Sequence, residues 1–292
     1  MKWVLFRWIW QLRSPLFIGA MPAGALNRCR LYIPARAVWG AITAEVARAG
    51  SNGFPDYEKM GLELKAKVKF SYLYPAEYTA GNWGAWLPQY EKGKGLFWQR
   101  QASNYKTESL SDREFRSRLL DTRPATAIDP QSYSAAEGTL RETECIQPYW
   151  RDSAKHDSSP VAMFGYVFIS GDCPLKHDIE KIDTLFIGGD TRYGLGQLER
   201  VEWNESEEIF GMVPLLDDVD SPLIEGERVL AHATSKSEMQ GAFEVLAGWD
   251  RLSADFLYPI YREPLWAPGS TVSGNSKIKW SIQPDGIWKE NF

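Results

Sequence analysis

Four strand-like segments in the first 203 residues constrain the fold of this chain more than any other feature. Apolar and polar side chains alternate in residues 2–12 and again in residues 61–74, and this period of two predicts strands. Val161–Ile169 is almost wholly apolar, which is typical of a strand that is buried on both faces. A fourth strand is predicted over Gln197–Trp203, so the four segments can supply a sheet.

Two helices are predicted between these strands. Ala35–Ala49 follows a proline and spaces its apolar residues as the buried face of a helix does, and a second helix is predicted over about residues 176–186. The resulting order of strand, helix, strand, strand, helix and strand is the pattern of ferredoxin-like and RRM-like folds. We therefore predict an α+β fold with a β-α-β-β-α-β core.

The remaining segments indicate how the chain is organised. Residues 75–160 separate the second and third predicted strands and are too long for an ordinary loop, so we expect a large protruding insertion there. The core with its insertion is predicted to cover residues 1–203. Short apolar runs with prolines in residues 204–292 predict an additional β-rich subdomain.

Charge is unevenly distributed along the 292 residues. The formal net charge of −5 excludes a protein that coats nucleic acid indiscriminately, but residues 1–50 carry +6 and the rest of the chain carries −11. This asymmetry indicates a localised anion site or contact with charged neighbours in an assembly, and charges scattered over solvated faces are the alternative. Three widely spaced cysteines predict a reducing, cytoplasmic location, and no segment is long and apolar enough to predict a membrane span.

A glycine-rich segment is the most informative local feature. Its glycines allow main-chain N–H groups to converge and a phosphate to approach the backbone closely. Arg192 and Tyr193 lie inside the segment and suit phosphate pairing and base stacking. A tight turn that packs a helix against a strand would need glycines equally, and both interpretations stay open. The four glycines are Gly188, Gly189, Gly194 and Gly196.

The N-terminus of the first predicted helix is a second candidate anion site. Its unpaired N–H groups and positive dipole end would attract a phosphate, with Arg36 at the mouth. Arg28 and Arg30 lie on the approach to this helix. The alternative is that Arg36 simply faces water.

Taken in order, three motifs resemble the RAMP superfamily of CRISPR effector subunits over roughly residues 1–203. They are I-P-x-x-x-x-x-G at the first helix (Ile33 to Gly40), T-x-I-D-x-x-x-x-x-A-x-E-G in a mid-chain hairpin (Thr126 to Gly138), and the glycine-rich segment. Type III backbone subunits match best, because of the Ile-Asp hairpin. Without the resemblance, that hairpin could equally be a surface hairpin that binds no ligand.

The resemblance implies a role for each of these motifs. The helix start and the glycine-rich segment are expected to hold the backbone of a guide RNA (crRNA), and the hairpin, called the thumb, is expected to wedge between guide and target bases. The implied partners are the guide RNA, the target RNA and other CRISPR effector subunits. The implied guide contacts are Arg13, Arg28, Arg30, Ala35, Arg36, Ala37, Gly188, Gly189, Arg192, Tyr193, Gly194 and Gly196, and the implied thumb residues are Thr126, Ile128 and Asp129.

This chain departs from the family pattern in ways that bear on catalysis. Residues 13–34 contain no Asp or Glu, whereas target-cleaving type III subunits carry an acidic residue in that loop. Guide-processing members use an early histidine, and here the histidines are His156, His177 and His232. The serines of the family's helix start are also missing, and Arg36 is the candidate to replace their phosphate contacts.

We therefore expect a subunit that binds RNA without cutting it and needs no cofactor or metal. One alternative is a RAMP-type endoribonuclease that uses acids such as Asp129 or Asp190. Another is a capping or assembly subunit with little RNA contact.

Overall fold

The computed structural model describes residues 2–51, 53–101, 108–151, 159–217, 219–246, 249–253, 256–259, 263–275 and 277–291. In these ranges the helices are α1 (Ala35–Ala49), α2 (Tyr57–Lys67), α3 (Asp112–Leu119) and α4 (Lys176–Lys181), and Thr191–Tyr193 and Ser273–Asn275 form 3₁₀ turns. The strands are β1 (Trp3–Leu12), β2 (Gly19–Ala23), β3 (Leu26–Cys29), β4 (Val68–Phe70), β5 (Tyr74–Thr79), β6 (Asn82–Glu91), β7 (Gly95–Arg100), β8 (Ser109–Ser111), β9 (Leu120–Ala125), β10 (Arg141–Ile146), β11 (Val161–Ser170), β12 (Thr184–Phe186), β13 (Gln197–Glu205), β14 (Pro214–Leu215), β15 (Leu223–Gly226), β16 (Ala233–Thr234), β17 (Met239–Gln240), β18 (Phe243–Glu244), β19 (Trp249–Ser253), β20 (Phe256–Pro259), β21 (Leu265–Trp266), β22 (Thr271–Val272), β23 (Ile278–Ile282) and β24 (Trp288–Glu290).

The centre of the molecule is a sheet in which the strands lie in the order β13, β1, β11, β4, and all neighbours are antiparallel. This is the strand order of a β-α-β-β-α-β core, so the predicted α+β fold is confirmed. Helix α1 packs against α2, α4 and β4. The even positions of β1 form an aromatic layer, in which the Trp8 ring stacks on Phe70 with 5.8 Å between centroids and Phe6 stacks on Trp203 at 4.8 Å.

The prediction of a strand over residues 61–74 is wrong for its first half. Helix α2 occupies the first half of this segment, through Lys67, and strands follow at Val68–Phe70 and from Tyr74 onward. Asp56 caps the helix by accepting a hydrogen bond of 2.9 Å from the Lys59 N–H, and Leu64 is buried. The alternation of leucines and lysines was therefore a coincidence within a helix whose N-cap lies outside the alternating window. The second predicted helix is also shorter than expected, because it ends at Lys181 and β12 follows.

The segment 75–160 does not protrude as a whole, which corrects the expectation of one large insertion. Strands β5, β6, β7 and β8 continue the central sheet beyond β11. Trp86, Trp98 and Trp150 surround Phe115 of α3 and are almost fully buried, so they are core residues. Among the described residues, the hairpin of β9 and β10 exposes its tip and most of β9, and it pairs through β10 with β3 in a separate small sheet.

The C-terminal strands cover the face of the central sheet opposite the aromatic layer. Seven of them, from β14 to β24, form one sheet. Phe210 precedes that sheet and meets Tyr166 edge to face, with 4.8 Å between ring centroids, while Tyr74 donates a hydrogen bond of 2.8 Å to the Leu230 carbonyl. Both faces of β1 are consequently buried. In the described ranges, no helix combines the length and apolar character needed to cross a membrane. That residues 204–292 form a separate subdomain stays a prediction.

Candidate nucleic-acid interface

The glycine-rich segment connects β12 to β13, and most of its glycines serve close packing. A Cβ atom at Gly188 would lie 2.3 Å from the Phe17 carbonyl oxygen, and one at Gly196 would lie 2.0 Å from the Ile187 carbonyl oxygen. The Gly189 N–H donates a hydrogen bond of 2.9 Å to the same Phe17 carbonyl. At these three positions the segment packs on its own chain as a tight turn does, so these glycines are explained without a ligand.

The tip of the segment is different, because it is open to solvent. Residues Thr191–Tyr193 form a 3₁₀ turn whose Tyr193 N–H donates to the Asp190 carbonyl at 2.9 Å. The Tyr193 side chain is 69% exposed, Arg192 is exposed, and an added Cβ at Gly194 would meet no atom within 4 Å. The stacking and pairing groups predicted from the sequence are therefore accessible at this tip.

The thumb hairpin is present, with β9 and β10 as its stem. Where the stem meets the tip loop, the Thr126 and Thr139 hydroxyls are hydrogen-bonded at 2.8 Å. At its tip the Asp129 carboxylate accepts hydrogen bonds from the Gln131 N–H at 2.9 Å and the Ser132 hydroxyl at 2.8 Å. These bonds, the Gln131 N–H first, lower the pKa of Asp129. Asp129 is thus a turn-forming carboxylate that stays ionised.

A cleft of about 450 Å³ lies between the thumb and the tip of the glycine-rich segment. We call it the thumb cleft. The Arg141 guanidinium lies 5.2 Å from the centre of the Tyr193 ring and 4.0 Å from the Asp190 carboxylate. The residues that line the thumb cleft include Arg123, Thr126, Thr139, Arg141, Asp190 and Tyr193.

Strand register explains why two arginines meet in the thumb cleft. Arg141 pairs with Ala125, and Arg123 pairs with Thr143. Arg123 and Arg141 therefore project from one face of the hairpin, the face that the tip of the glycine-rich segment approaches. Sequence reasoning missed both residues, although a period of two extended along the hairpin would have placed them together.

The N-terminus of α1, the second predicted anion site, is largely covered. Ala35 is 2% exposed, and a Cβ added at Gly286 would lie 2.1 Å from its side chain. A cavity of about 460 Å³ next to this helix end, called the helix cavity, is lined by Arg30, Arg36 and Ala37 among others. The Arg36 guanidinium lies 5.4 Å from the centre of the Trp39 ring.

Arg30 is occupied by other groups of this chain. It is 8% exposed, forms an ion pair with Glu244 and donates hydrogen bonds to the Tyr32 hydroxyl at 3.3 Å and the Gly19 carbonyl at 3.2 Å. Tyr32 in turn donates a hydrogen bond of 2.6 Å to Glu244. These contacts give Arg30 a structural role in the described chain.

The same cluster includes a histidine that sequence reasoning set aside. His232 is fully buried, its Nδ1 lies 2.8 Å from the Tyr72 hydroxyl oxygen, and its Nε2 lies 2.9 Å from the Glu244 carboxylate. Burial, with a smaller effect of the positive charge of Arg30, lowers the pKa of His232 to about 3. The cluster ties the C-terminal strands to the core.

The remaining predicted residues lie outside both cavities. Arg13 pairs with Glu199 at 2.6 Å, and Arg28 is an exposed residue of β3. His177 is exposed, and His156 lies outside the described residues. Across the described ranges, no three His, Cys, Asp or Glu side chains are grouped as the ligands of a metal ion would be.

No model of a known protein family matches the sequence, and no curated protein matches it. Among solved structures, a chain of the type III-B Cmr-beta complex bound to cognate target RNA is similar with a TM-score of 0.42 and 12% identity, covering 68% of this chain and 96% of that one. A chain of the same complex bound to target RNA and AMPPnP has a TM-score of 0.44 and 12% identity, covering 91% and 85%. A chain of the apo complex has a TM-score of 0.42 and 11% identity, covering 68% and 97%.

Proposed function

We propose that this chain is a non-catalytic subunit of a type III CRISPR effector complex in the cytoplasm, where it binds the guide RNA backbone and shapes guide–target pairing. The observation that carries the proposal is the thumb cleft, in which two arginines of the hairpin and an exposed tyrosine converge. The motif resemblance supplies the setting, with other effector subunits and a target RNA as partners.

The thumb cleft has the groups that single-stranded RNA requires. Arg123, Arg141 and Arg192 are exposed, and guanidinium groups bind phosphate oxygens in a bidentate manner. The face of Tyr193 can stack on any base, a contact that tolerates different sequences. Base pairing between guide and target would then select the target sequence, while this chain holds the backbone.

The tip of the thumb has a different character. Ile128 is 60% exposed there and Tyr133 is 86% exposed. Apolar side chains that enter a helical stack separate neighbouring bases. The turn around Asp129 fixes these side chains in place, so the tip suits a wedge between paired bases.

The test is the salt dependence of RNA binding by the purified full chain. Binding of a labelled single-stranded RNA is measured by fluorescence anisotropy over a range of salt concentrations, for the natural protein, Arg123→Ala with Arg141→Ala, and Arg113→Ala as a matched control. Each phosphate contact contributes about 0.7 to the slope of log K against log salt for single strands. The double variant should lose about 1.4 from this slope, and the control, an exposed arginine of α3, should lose nothing.

Purification from the native host tests the setting. RNAs with a shared repeat-derived end, together with other effector subunits, would support the proposal, and a monomer free of RNA would contradict it. Tight association with sister subunits but an unchanged salt slope in the double variant would favour a capping subunit.

An endoribonuclease is the second candidate, because the Asp190 carboxylate lines the thumb cleft. RNA incubated with the purified chain would then yield products, and Asp190→Asn would abolish them. Intact RNA with the natural protein would eliminate this candidate.

A further inference from the structure

We infer that the thumb cleft holds one unpaired guanine, stacked on Tyr193, with Asp190 accepting hydrogen bonds from its Watson–Crick edge. This inference rests on the proposed function and deepens it, because it assigns to this chain a base preference at one position. Binding of the guide backbone alone requires contacts to phosphate and to the face of a base, but no contact to the edge of a base.

The platform for a base is already formed. Asp190 is the N-cap of the 3₁₀ turn that ends at Tyr193, and both residues line the thumb cleft. Arg141 lies over the Tyr193 ring at 5.2 Å, which holds one side of the ring and leaves it 69% exposed. A base can therefore stack on the ring within reach of the residue three positions earlier.

Asp190 is the feature that phosphate binding alone does not explain. A carboxylate in a cleft for a polyanion repels it, yet Asp190 lines the cleft with a side chain that is 27% exposed. No described residue donates a hydrogen bond to its carboxylate, since the nearest cation, Arg141, is 4.0 Å away. Both carboxylate oxygens thus remain acceptors for a ligand.

The backbone conformation at Asp190 limits which variants can test it. Asp190 has a φ of 57°, in the left-handed region that aspartate and asparagine adopt more readily than most other residues. Asparagine is therefore the substitution that removes the charge without adding backbone strain.

The chemistry of the acceptor selects among the four bases. An ionised carboxylate is an acceptor only, and guanine is the one base whose Watson–Crick edge offers two adjacent donors, N1–H and the N2 amino group. Adenine and cytosine place a ring-nitrogen acceptor beside their amino group, and uracil places carbonyl groups on both sides of N3–H. Each of these acceptors would face the carboxylate and repel it. The unpaired bases of single-stranded RNA are commonly read on this edge.

The charge balance of the cleft permits such a contact. Arg123 and Arg141 outnumber Asp190, so the ribose-phosphate of the bound nucleotide still meets a net positive wall. Arg141 lies 4.0 Å from the Asp190 carboxylate, too far for a hydrogen bond to occupy its oxygens. The arginines therefore face the phosphate and Asp190 faces the base of the same nucleotide.

The experiment compares RNAs that differ at one base. Oligouridines with a single central guanosine, inosine, adenosine or cytidine are titrated against the purified full chain by fluorescence anisotropy, with oligouridine as the reference. Guanosine should bind about tenfold more tightly than uridine, because hydrogen bonds to a charged group are lost with uridine. Inosine keeps N1–H but lacks the N2 amino group, so its affinity should lie between the two. This comparison uses the natural protein and does not depend on the folding of any variant.

Variants then assign the preference to its residues. Asp190→Asn keeps the size of the side chain and its tolerance of positive φ, and it should remove the preference for guanosine while oligouridine binds as before or better. Tyr193→Leu should weaken binding of all the RNAs by about tenfold, because it removes stacking without touching the carboxylate. Tyr193→Phe, the matched control, should retain both affinity and preference.

The outcomes distinguish a failure of the guanine site from a failure of the proposed function. RNA binding with the expected salt slope but equal affinity for guanosine, inosine and uridine would overturn the guanine site and leave the proposed function standing. A guanosine preference that Asp190→Asn does not change would also overturn it. Failure of every RNA to bind would instead contradict the proposed function itself.

Discussion

The thumb cleft and the helix cavity have nearly equal volumes, about 450 and 460 Å³, and both are lined by arginines, but they use them differently. Arg123 and Arg141 of the thumb cleft are exposed, and Arg141 approaches the Asp190 carboxylate to 4.0 Å. Arg30 of the helix cavity is paired with Glu244, a residue 214 positions later in the chain. An arginine beside a predicted phosphate site is therefore not necessarily available to a phosphate. The carboxylates that the fold places next to it determine whether it is.

The largest expected effect separates Arg30 from Arg123. Arg30→Met leaves Glu244 without its cation in a mostly buried cluster, so the free energy of unfolding should fall by about 4 kcal/mol in urea denaturation. Arg123→Met should change it by less than about 0.5 kcal/mol, because its side chain is exposed. RNA affinity should show the reverse pattern in protein that remains folded. A stable Arg30→Met protein with weakened RNA binding would show that Arg30 contacts the guide, as the motif resemblance implies.

The glycine-rich segment offers the same contrast within nine residues. Gly196 has a φ of 78° and no room for a Cβ atom, whereas Gly194 has a φ of 82° with open space around it. Gly196→Ala should lower the free energy of unfolding by about 3 kcal/mol, since strain and overpacking add. Gly194→Ala should cost about 1 kcal/mol from backbone conformation alone. Equal costs at the two positions would show that the turn does not pack on Ile187.

The elements that were predicted correctly carry their signal locally. Residues 35–49 form the predicted helix with the predicted bounds, because a proline before the first turn and the 3.6-residue spacing of apolar side chains both lie within the segment. The strand prediction failed for residues 61–67 because alternation over a few residues also occurs by chance in a helix. The Asp56 cap was the stronger signal. The thumb hairpin was predicted from its turn residues, and its register was implicit in the same stretch.

The parts that could not be predicted depend on contacts between distant segments. Tyr72 lies 160 positions before His232 and Glu244 lies 12 positions after it, and nothing in their local sequence indicates that they meet. The covering of Ala35 by Gly286 joins residues 251 positions apart. Sequence reasoning identified groups suited to bind phosphate, but only the packing of the C-terminal strands shows which of them are accessible.

The buried cluster around His232 should also make the stability of the protein depend on pH. Below the pKa of a histidine in the unfolded chain, 6.5, the unfolded state takes up a proton that folded His232, with a pKa of about 3, does not. Stability should therefore fall as pH falls, by about 2 kcal/mol between pH 6.5 and pH 5. Chemical denaturation at several pH values measures the slope.

Two variants assign this slope to its residue. His232→Gln should flatten it over this range, because an amide can keep both neighbours hydrogen-bonded without titrating. His177→Gln should leave it unchanged, since His177 is exposed. A slope that survives His232→Gln would contradict the assignment to the buried cluster.

The smallest expected effect is at the thumb tip and distinguishes a structural Asp129 from a catalytic one. Asp129→Ala removes the acceptor of the Gln131 N–H and the Ser132 hydroxyl, so the turn at the tip should open more often. Hydrogen exchange at the Gln131 amide should accelerate several-fold, whereas Glu137→Ala, an exposed thumb residue, should leave it unchanged. RNA affinity should fall only modestly, because the arginines of the thumb cleft stay on the paired strands of the stem. If Asp129→Ala left this amide equally protected but abolished RNA cleavage by the natural protein, Asp129 would instead be the acid of a nuclease. The thumb cleft would then have to take part in catalysis, and its arginines and tyrosine do not by themselves supply the groups for that.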